Sequence, residues 1–399
     1  MTGSITKHKQ ANGRISWGYH FRPGRDAAGK WIRITKQGFS TKREAEDALR
    51  DAITSSQAEP AAARDPRSFS EFFAAWIREY AERQCEPKTV DRYVELGAYA
   101  SRHFGSMPIV DLTPLTLERA FNELLDHGGK RTKEHPNGRP LSPKTVREIA
   151  SVVNGTLKTA KRWQAIKENP MGSVELPKLA HKQAQALERT QLENVATWVQ
   201  GHEWLELLIE LDAATGCRRG ELLALQWPDI DCENRILNVS KSLQQSKRAG
   251  LRIKLPKGKK TRRFPLPASA IEAVREHRRR QERFRDAFGP DYRTDLDLIF
   301  CTPEGDYLKP DSVSSKVSLL MRSLGLPKGV SLHTLRHTHA SHLLSMGVSL
   351  PAVSKRLGHA NTNVTAQVYA HALERDEFEA ADAWERSIGK LNSGDGKRQ

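Results

Sequence analysis

Long apolar runs are missing from this 399-residue chain: nowhere do eighteen apolar residues follow one another, so no membrane-spanning helix is expected. Met1 to Gln10 is polar and lacks the apolar centre of a secretory signal, which predicts a cytoplasmic protein. Cysteine is scarce. Cys85, Cys217, Cys232 and Cys301 are scattered without a Cys-x-x-Cys spacing, which argues against a disulfide or zinc framework. Acidic residues are in deficit, 48 against 64 Lys and Arg, and the resulting charge of +16 points to an acidic polymer as partner, nucleic acid first. No internal repeat is visible. The apolar content of 38% supplies ordinary cores, and the length predicts two to four domains.

What is present is concentrated between His333 and Tyr369. A helix capped by Ser331 or His333 puts His333 and Arg336 on one face, because side chains three apart are neighbours. Ser349 and Pro351 open a short second helix with Val353 and Leu357 inward and Gly358 as its left-handed stop, so that His359 stands just past a helix end. From Thr362 a third segment turns Val364, Val368 and Ala372 inward and leaves Tyr369 one step round. Four histidines, His333, His337, His339 and His342, also fit a metal reading, since i and i+4 imidazoles can share an ion. The lack of His-Glu-x-x-His and the sparse carboxylates nearby count against it.

A second cluster lies upstream. The apolar helix Trp204 to Ala213 is broken by Gly216, and Leu222, Leu223 and Leu225 begin the next core helix, so Arg218 lies in the turn between them. Leu251 to Leu266 reads as a β-hairpin, Arg252-Ile253-Lys254-Leu255 paired with Thr261 to Leu266, with Lys257 near its tip.

Together these residues resemble the tyrosine recombinases of the phage integrase family. That family's pattern is an Arg in a Thr-Gly-x-Arg turn, a Lys on a β-hairpin, His-x-x-Arg, Leu-Gly-His and a Tyr about ten residues later. Arg218, Lys257, His333 with Arg336, His359 and Tyr369 match it in order, over about residues 185 to 390. Thr334 stands where many relatives carry Asp, and His339 where an aromatic is usual. Lys254, Lys259 and Lys260 crowd the same hairpin, and a slip of one or two residues would change the lysine chosen.

The resemblance implies a site-specific recombinase that integrates or excises a phage or other mobile element, prokaryotic or phage-encoded and acting at the nucleoid. It implies a homotetramer on double-stranded DNA with core and arm-type sites, aided by an accessory DNA-bending protein or excision factor. The residue types suit that chemistry. Tyr369 supplies a nucleophile that would store the bond energy as a 3′-phosphotyrosine. Arg218 and Arg336 can fork onto non-bridging phosphate oxygens. By resemblance Lys257 is the general acid, His333 assists proton transfer from the tyrosine, and His359 donates a hydrogen bond to the phosphate. Glu221 braces Arg218. Nothing in the set calls for ATP, a divalent ion or another cofactor.

The fold expected is mainly α with small β elements, an α+β chain of three parts. Residues 1–54 read as a three-stranded sheet plus helix: Ile15, Trp17, Tyr19 and Phe21 alternate, Trp31 to Ile34 makes a further strand, and Thr41 to Glu44 is a capping box for a helix from Glu44 to Ile53. Its Lys and Arg residues resemble those of an arm-type DNA-binding domain. Residues 55–66 read as a linker, 67–177 as a helical core-binding domain, 178–187 as a second linker, and 188–391 as a mixed helical catalytic domain of the tyrosine recombinase type. The tail, 392–399, is expected to be disordered. The arginine run from Arg275 to Arg285 reads as a solvated helix face. Two other readings use the same residues: a DNA-relaxing enzyme of the type IB topoisomerase kind, and a sequence-specific DNA-binding protein with a vestigial site. The basic N-terminal module counts against the first and the full set of catalytic residue types against the second.

Overall fold

The computed structural model describes residues 3–9, 15–22, 31–57, 65–179, 186–256 and 261–359, and beyond these 362–363, 365–366, 381–382 and 384–387. The chain divides into two units, Met1–Gln84 with Tyr93–Leu179, and Cys85–Arg92 with Ala180–Gln399.

The first unit begins with an antiparallel sheet of β1 (Gly3–Lys9), β2 (Ile15–Phe21) and β3 (Ile34–Phe39) in the order β1-β2-β3. Tyr19 and Phe21 on the middle strand are buried, and Tyr19 stacks on Phe39 at 5.9 Å. The expected strand at Trp31 to Ile34 lies further on, because pairing with β2 runs from Phe21↔Ile34 to Trp17↔Phe39; Trp31 and Ile32 stay exposed. Strand β1, with Ile5 its only large apolar side chain, is an edge held by its ladder to β2 and carried no alternation to betray it. Helix α1 (Lys42–Gln57) packs on β2 and opens with half of the expected capping box: the Glu44 amide donates to Thr41 Oγ1 at 3.2 Å, while Glu44 Oε2 accepts from the amide of Ser40, one residue before the cap, at 3.0 Å. It continues into the expected linker as far as Gln57, since Ser and Gln do not break a helix.

The rest of the unit is mostly helical: α2 (Phe69–Trp76), a π-helical turn Ile77–Ala81, α3 (Glu82–Gln84), α4 (Pro87–Phe104) from Tyr93 onward, α5 (Pro114–His127) and α6 (Pro143–Arg162). Ser68 caps α2 in a capping box with Glu71, Thr113 caps α5 and Ser142 caps α6, each ahead of a helix that the apolar spacing predicts. The inner stripe of α6, Val146, Ile149, Val153, Leu157 and Ala160, is buried throughout. Trp76 Nε1 donates to Thr159 Oγ1 at 3.1 Å, fixing α2 on α6.

In the second unit, α7 (Arg189–Val199) leads to α8 (Glu203–Thr215) and the single turn α9 (Arg219–Leu222). Strands β4 (Ile230–Asp231), β5 (Ile236–Val239), β6 (Ser242–Ser246), β7 (Gly250–Lys254) and β8 (Arg262–Pro265) follow, then α10 (Ala268–Phe288), α11 (Pro310–Ser323), α12 (Leu332–Ser345) and α13 (Leu350–Leu357). Helix α8 is the middle of the core, with Leu205, Leu208 and Leu211 buried and α10 and α12 packed on it. The hairpin expected over Leu251 to Leu266 is a correction. β7 pairs with β6, Leu243↔Ile253, and β8 pairs with β5, Leu237↔Phe264, so the two strands belong to different sheets. The β6–β7 turn, closed by Gly250 at φ +63°, has no strong turn dipeptide to announce it.

Candidate active site

The site grows from two left-handed glycines. Gly216 (φ +62°) ends α8, its amide donating to Asp212 O at 2.7 Å, and a Cβ there would meet Leu357 Cδ2 at 2.7 Å and His339 Cδ2 at 3.0 Å. Only glycine satisfies both the conformation and the space. Two residues on, Arg218 caps α9 while its own amide donates to Glu221 Oε2 at 2.8 Å and its Nη1 to Glu221 Oε1 at 2.9 Å. Nη2 reaches Gly358 O at 3.3 Å. Glu221, 1% exposed, is also gripped by Arg262 from β8, Nη2 to Oε2 at 2.7 Å and Nη1 to Oε1 at 3.1 Å. Burial would raise the Glu221 carboxyl, but its bonds to Arg262 and Arg218 outweigh this and hold it below the usual range, an ion between two guanidiniums.

Helix α12 carries the next residues. The Ser331 amide donates to Thr334 Oγ1 at 3.1 Å, so the threonine closes the cap that an aspartate could close equally well. Arg336 is 2% exposed and donates Nη1 to Gly216 O at 2.5 Å and Nη2 to Leu357 O at 2.9 Å, which ties α12 to both glycine turns. These bonds take up two of its five N–H donors. Burial and the Arg218 charge push it down to about 10, still a cation at neutral pH. His333 lies on the exposed side of the helix; desolvation and then Arg336 and Arg218 lower its pKa, so the ring is neutral at pH 7. The His337 ring meets it edge-on at 4.6 Å and is pushed down to about 4 by burial and by His333.

Gly358 (φ +67°) ends α13, and a Cβ there would lie 2.5 Å from Arg262 Nη1. His359 follows, its amide bonded to Ser354 O at 3.1 Å and its Nδ1 2.7 Å from the hydroxyl of Thr365. Burial first, then Arg336, Arg218, His337 and Arg262, push its pKa to about 4.

A clamp holds these segments together. His339 Nδ1 donates to Ala213 O at 2.8 Å, which leaves Nε2 to accept Arg356 Nε at 3.1 Å. Arg356 also reaches Ala214 O at 3.0 Å and Pro265 O at 3.4 Å, and lies over the Phe264 ring at 4.7 Å. One side chain thus joins α13 to the end of α8, to α12 and to β8. With this use, the histidine in place of an aromatic acquires a reason. His342 binds Leu187 O instead, at 3.2 Å, and among the described residues no group of three His, Cys, Asp or Glu is placed to hold a metal.

Of the residues singled out in the sequence, Arg218, Glu221, His333, Arg336 and His359 are brought together. Lys257, Lys259, Lys260 and Tyr369 lie outside the described residues, as do Val364, Val368 and Ala372. Lys254 is described, and its ammonium lies 3.5 Å from Glu86. Sequence reasoning missed Arg262, Arg356 and Thr365. Arg262 had a signal: on β8 it shares its face with buried Phe264, and a charge on the inward face of a strand calls for a partner. It missed Asp212 as well, wholly buried beside Arg336 with no hydrogen-bond partner for either oxygen among the described residues; burial raises its pKa well above the usual value.

Comparison with known proteins supplies the family. The phage integrase family pattern matches residues 178–375, and an arm DNA-binding domain matches residues 4–56. A protein described as tyrosine recombinase XerC-like from Caldanaerobacter subterraneus subsp. tengcongensis is 26% identical over 90% of this chain and 93% of its own length. The integrase of Staphylococcus phage L54a is 33% identical over 45% of this chain and 51% of that protein. In fold, the chain is similar to the integrase of transposon Tn1549 solved with transposon right end DNA, with a TM-score of 0.64 and 21% identity over 81% of this chain and 99% of that one. The chain belongs to the phage integrase family, the tyrosine recombinases, and carries an arm DNA-binding domain at its N-terminal end.

Proposed function

We propose that the chain cuts and rejoins DNA through a covalent 3′-phosphotyrosine at Tyr369, recombining the ends of a phage or other mobile element. The observation that supports it most is the convergence of Arg218, His333, Arg336 and His359 around the two glycine turns, drawn from three separate stretches of sequence. The tyrosine oxygen attacks phosphorus as its proton passes to neutral His333. The bond to the 5′ oxygen breaks, and that oxygen takes a proton from Lys257. Arg218 and Arg336 receive the charge that builds on the non-bridging oxygens, and His359 donates to one of them. Attack by a 5′-hydroxyl on the phosphotyrosine reverses the steps, so no high-energy cofactor is consumed and neither ATP nor a divalent ion is required.

In the same proposal residues 1–54 bind arm-type sequences, 67–177 form the core-binding domain and 188–391 the catalytic domain, with four copies assembling on the core site. A DNA-relaxing enzyme would share the covalent step but not strand exchange. A nicked suicide duplex carrying the junction sequence that borders the gene is the test. Full-length protein should form a covalent adduct and exchange strands between two such duplexes, and Tyr369→Phe should bind the duplex but form none. An adduct with Tyr369→Phe would refute the assignment. Adduct without exchange would favour relaxation, and tight binding with neither would leave a DNA-binding protein.

A further inference from the structure

A buried hydroxyl stands behind His359. Thr365 is 0% exposed, and its Oγ1 lies 2.7 Å from His359 Nδ1. A neutral imidazole has one N–H. If His359 is to donate Nε2–H to a phosphate oxygen, Nδ1 must be bare and must accept. A threonine hydroxyl can donate there, and burial keeps water from competing for it. We infer that Thr365 is a positioning residue which, by donating its hydroxyl hydrogen to Nδ1, holds His359 in the tautomer that presents Nε2–H to the scissile phosphate. The inference rests on the reading of His359 as a phosphate donor.

The surroundings make the position of that one proton matter. Arg336 and His337 face the ring from α12, Arg218 from its turn and Arg262 from β8, while Glu221 on α9 is taken up between the two arginines. Burial and these cations keep the ring neutral down to about pH 4. At neutral pH a ring without Thr365 would divide its proton between two nitrogens. In acid the imidazolium carries both hydrogens, and the threonine becomes dispensable.

Two measurements test this. In full-length protein labelled with [15N]histidine, the His359 ring is identified by its loss in His359→Ala. The wild type and Thr365→Ser should show the Nε2–H tautomer, and Thr365→Val a mixture. On the nicked suicide duplex in single turnover, Thr365→Val should cleave roughly fivefold to tenfold more slowly at neutral pH, the worth of one oriented hydrogen bond, with duplex affinity unchanged. Its deficit relative to wild type should close as the pH falls, and Thr365→Ser, which keeps the hydroxyl, should restore the rate. An Nδ1–H tautomer in the wild type would overturn the inference, as would a loss that is equal at every pH and shared by Thr365→Ser. A slow His359→Ala beside a fully active Thr365→Val would sink it alone, whereas a His359→Ala that cleaves at the wild-type rate would remove the reading beneath it.

Discussion

Asp212 sets the sharpest expectation at the scale of single residues. Its carboxyl is wholly buried, lacks hydrogen-bond partners among the described residues and has a pKa well above the usual value because burial disfavours the charge. The unfolded chain ionises this group above about pH 4 while the native protein still holds the proton. Stability from this position is therefore fully present below the unfolded pKa and is lost as pH rises toward the folded one, by at most about 1.4 kcal/mol per pH unit. Asp212→Leu, similar in shape and without charge, should melt higher than wild type at pH 8, and the gap should shrink toward pH 4. Thermal melts across that range check it, and a gap independent of pH would show that Asp212 is not protonated in the native state.

Arg336 gives a second expectation at this scale. It holds two backbone carbonyls with two of its five planar N–H donors, a geometry that a lysine ammonium cannot copy. Arg336→Lys should lower single-turnover cleavage roughly 10²- to 10³-fold while duplex binding changes little. Arg218, His333, Arg336 and His359 were legible in the sequence because together they match a family's pattern in order and spacing, at a turn, a helix start and a helix end that local signals mark. Arg262 and Arg356 were not, since what defines them is a partner far away in the chain: Arg262 and Glu221 are 41 residues apart, and Arg356 and Ala214 are 142. Thr365 has its partner only six residues away, but nothing in a threonine at that spacing marks a hydrogen bond to an imidazole.

At the scale of elements, helices announced themselves, while among the strands β2 did so by its alternation and the pairing of the others did not. Ser68, Thr113, Ser142 and Ser331 each stand directly before the helix they cap, with an apolar stripe following at helical spacing. The strands of the second unit gave no local mark of their partners. β7 and β8 are consecutive, yet each finds its partner in an earlier strand, because pairing depends on which faces must be buried rather than on proximity in sequence. The end of α13 shows how tightly these elements are fitted. Gly358→Ala adds a Cβ to a left-handed residue and drives it into Arg262, which is 7% exposed and bound to Glu221. The backbone cost alone is about 1–2 kcal/mol. We expect a melting point lower by several degrees, and a larger fall in cleavage than in duplex affinity, because Arg262 and His359 both move. A Gly358→Ala variant as active as wild type would show that this turn does not set the site.

Over the whole molecule the surplus of 64 basic over 48 acidic residues should be felt as salt dependence. Binding to core and arm duplexes should weaken with ionic strength, log K falling by about 0.9 for each phosphate neutralised. Removing residues 1–57 should reduce that slope on DNA bearing both kinds of site and depress recombination of full sites, while an isolated core duplex is still cleaved. Equal slopes for the two forms of the protein would argue that the basic sheet does not engage phosphates.

The bonds that close the site also govern when it comes into being. Arg218 reaches the carbonyl of Gly358 across 140 residues, and Arg336 reaches that of Gly216 across 120. Contacts of such separation cost loop entropy and form late. During synthesis Arg218 leaves the ribosome well before the glycine turn that orients it, so a nascent chain ending before Gly358 lacks one of the two carbonyl anchors of these arginines. On the proposed reading the cleavage site is thus assembled only after α13 has been made, and a premature stop anywhere in α10 to α13 should yield a fragment without cleavage activity, however well its earlier helices fold.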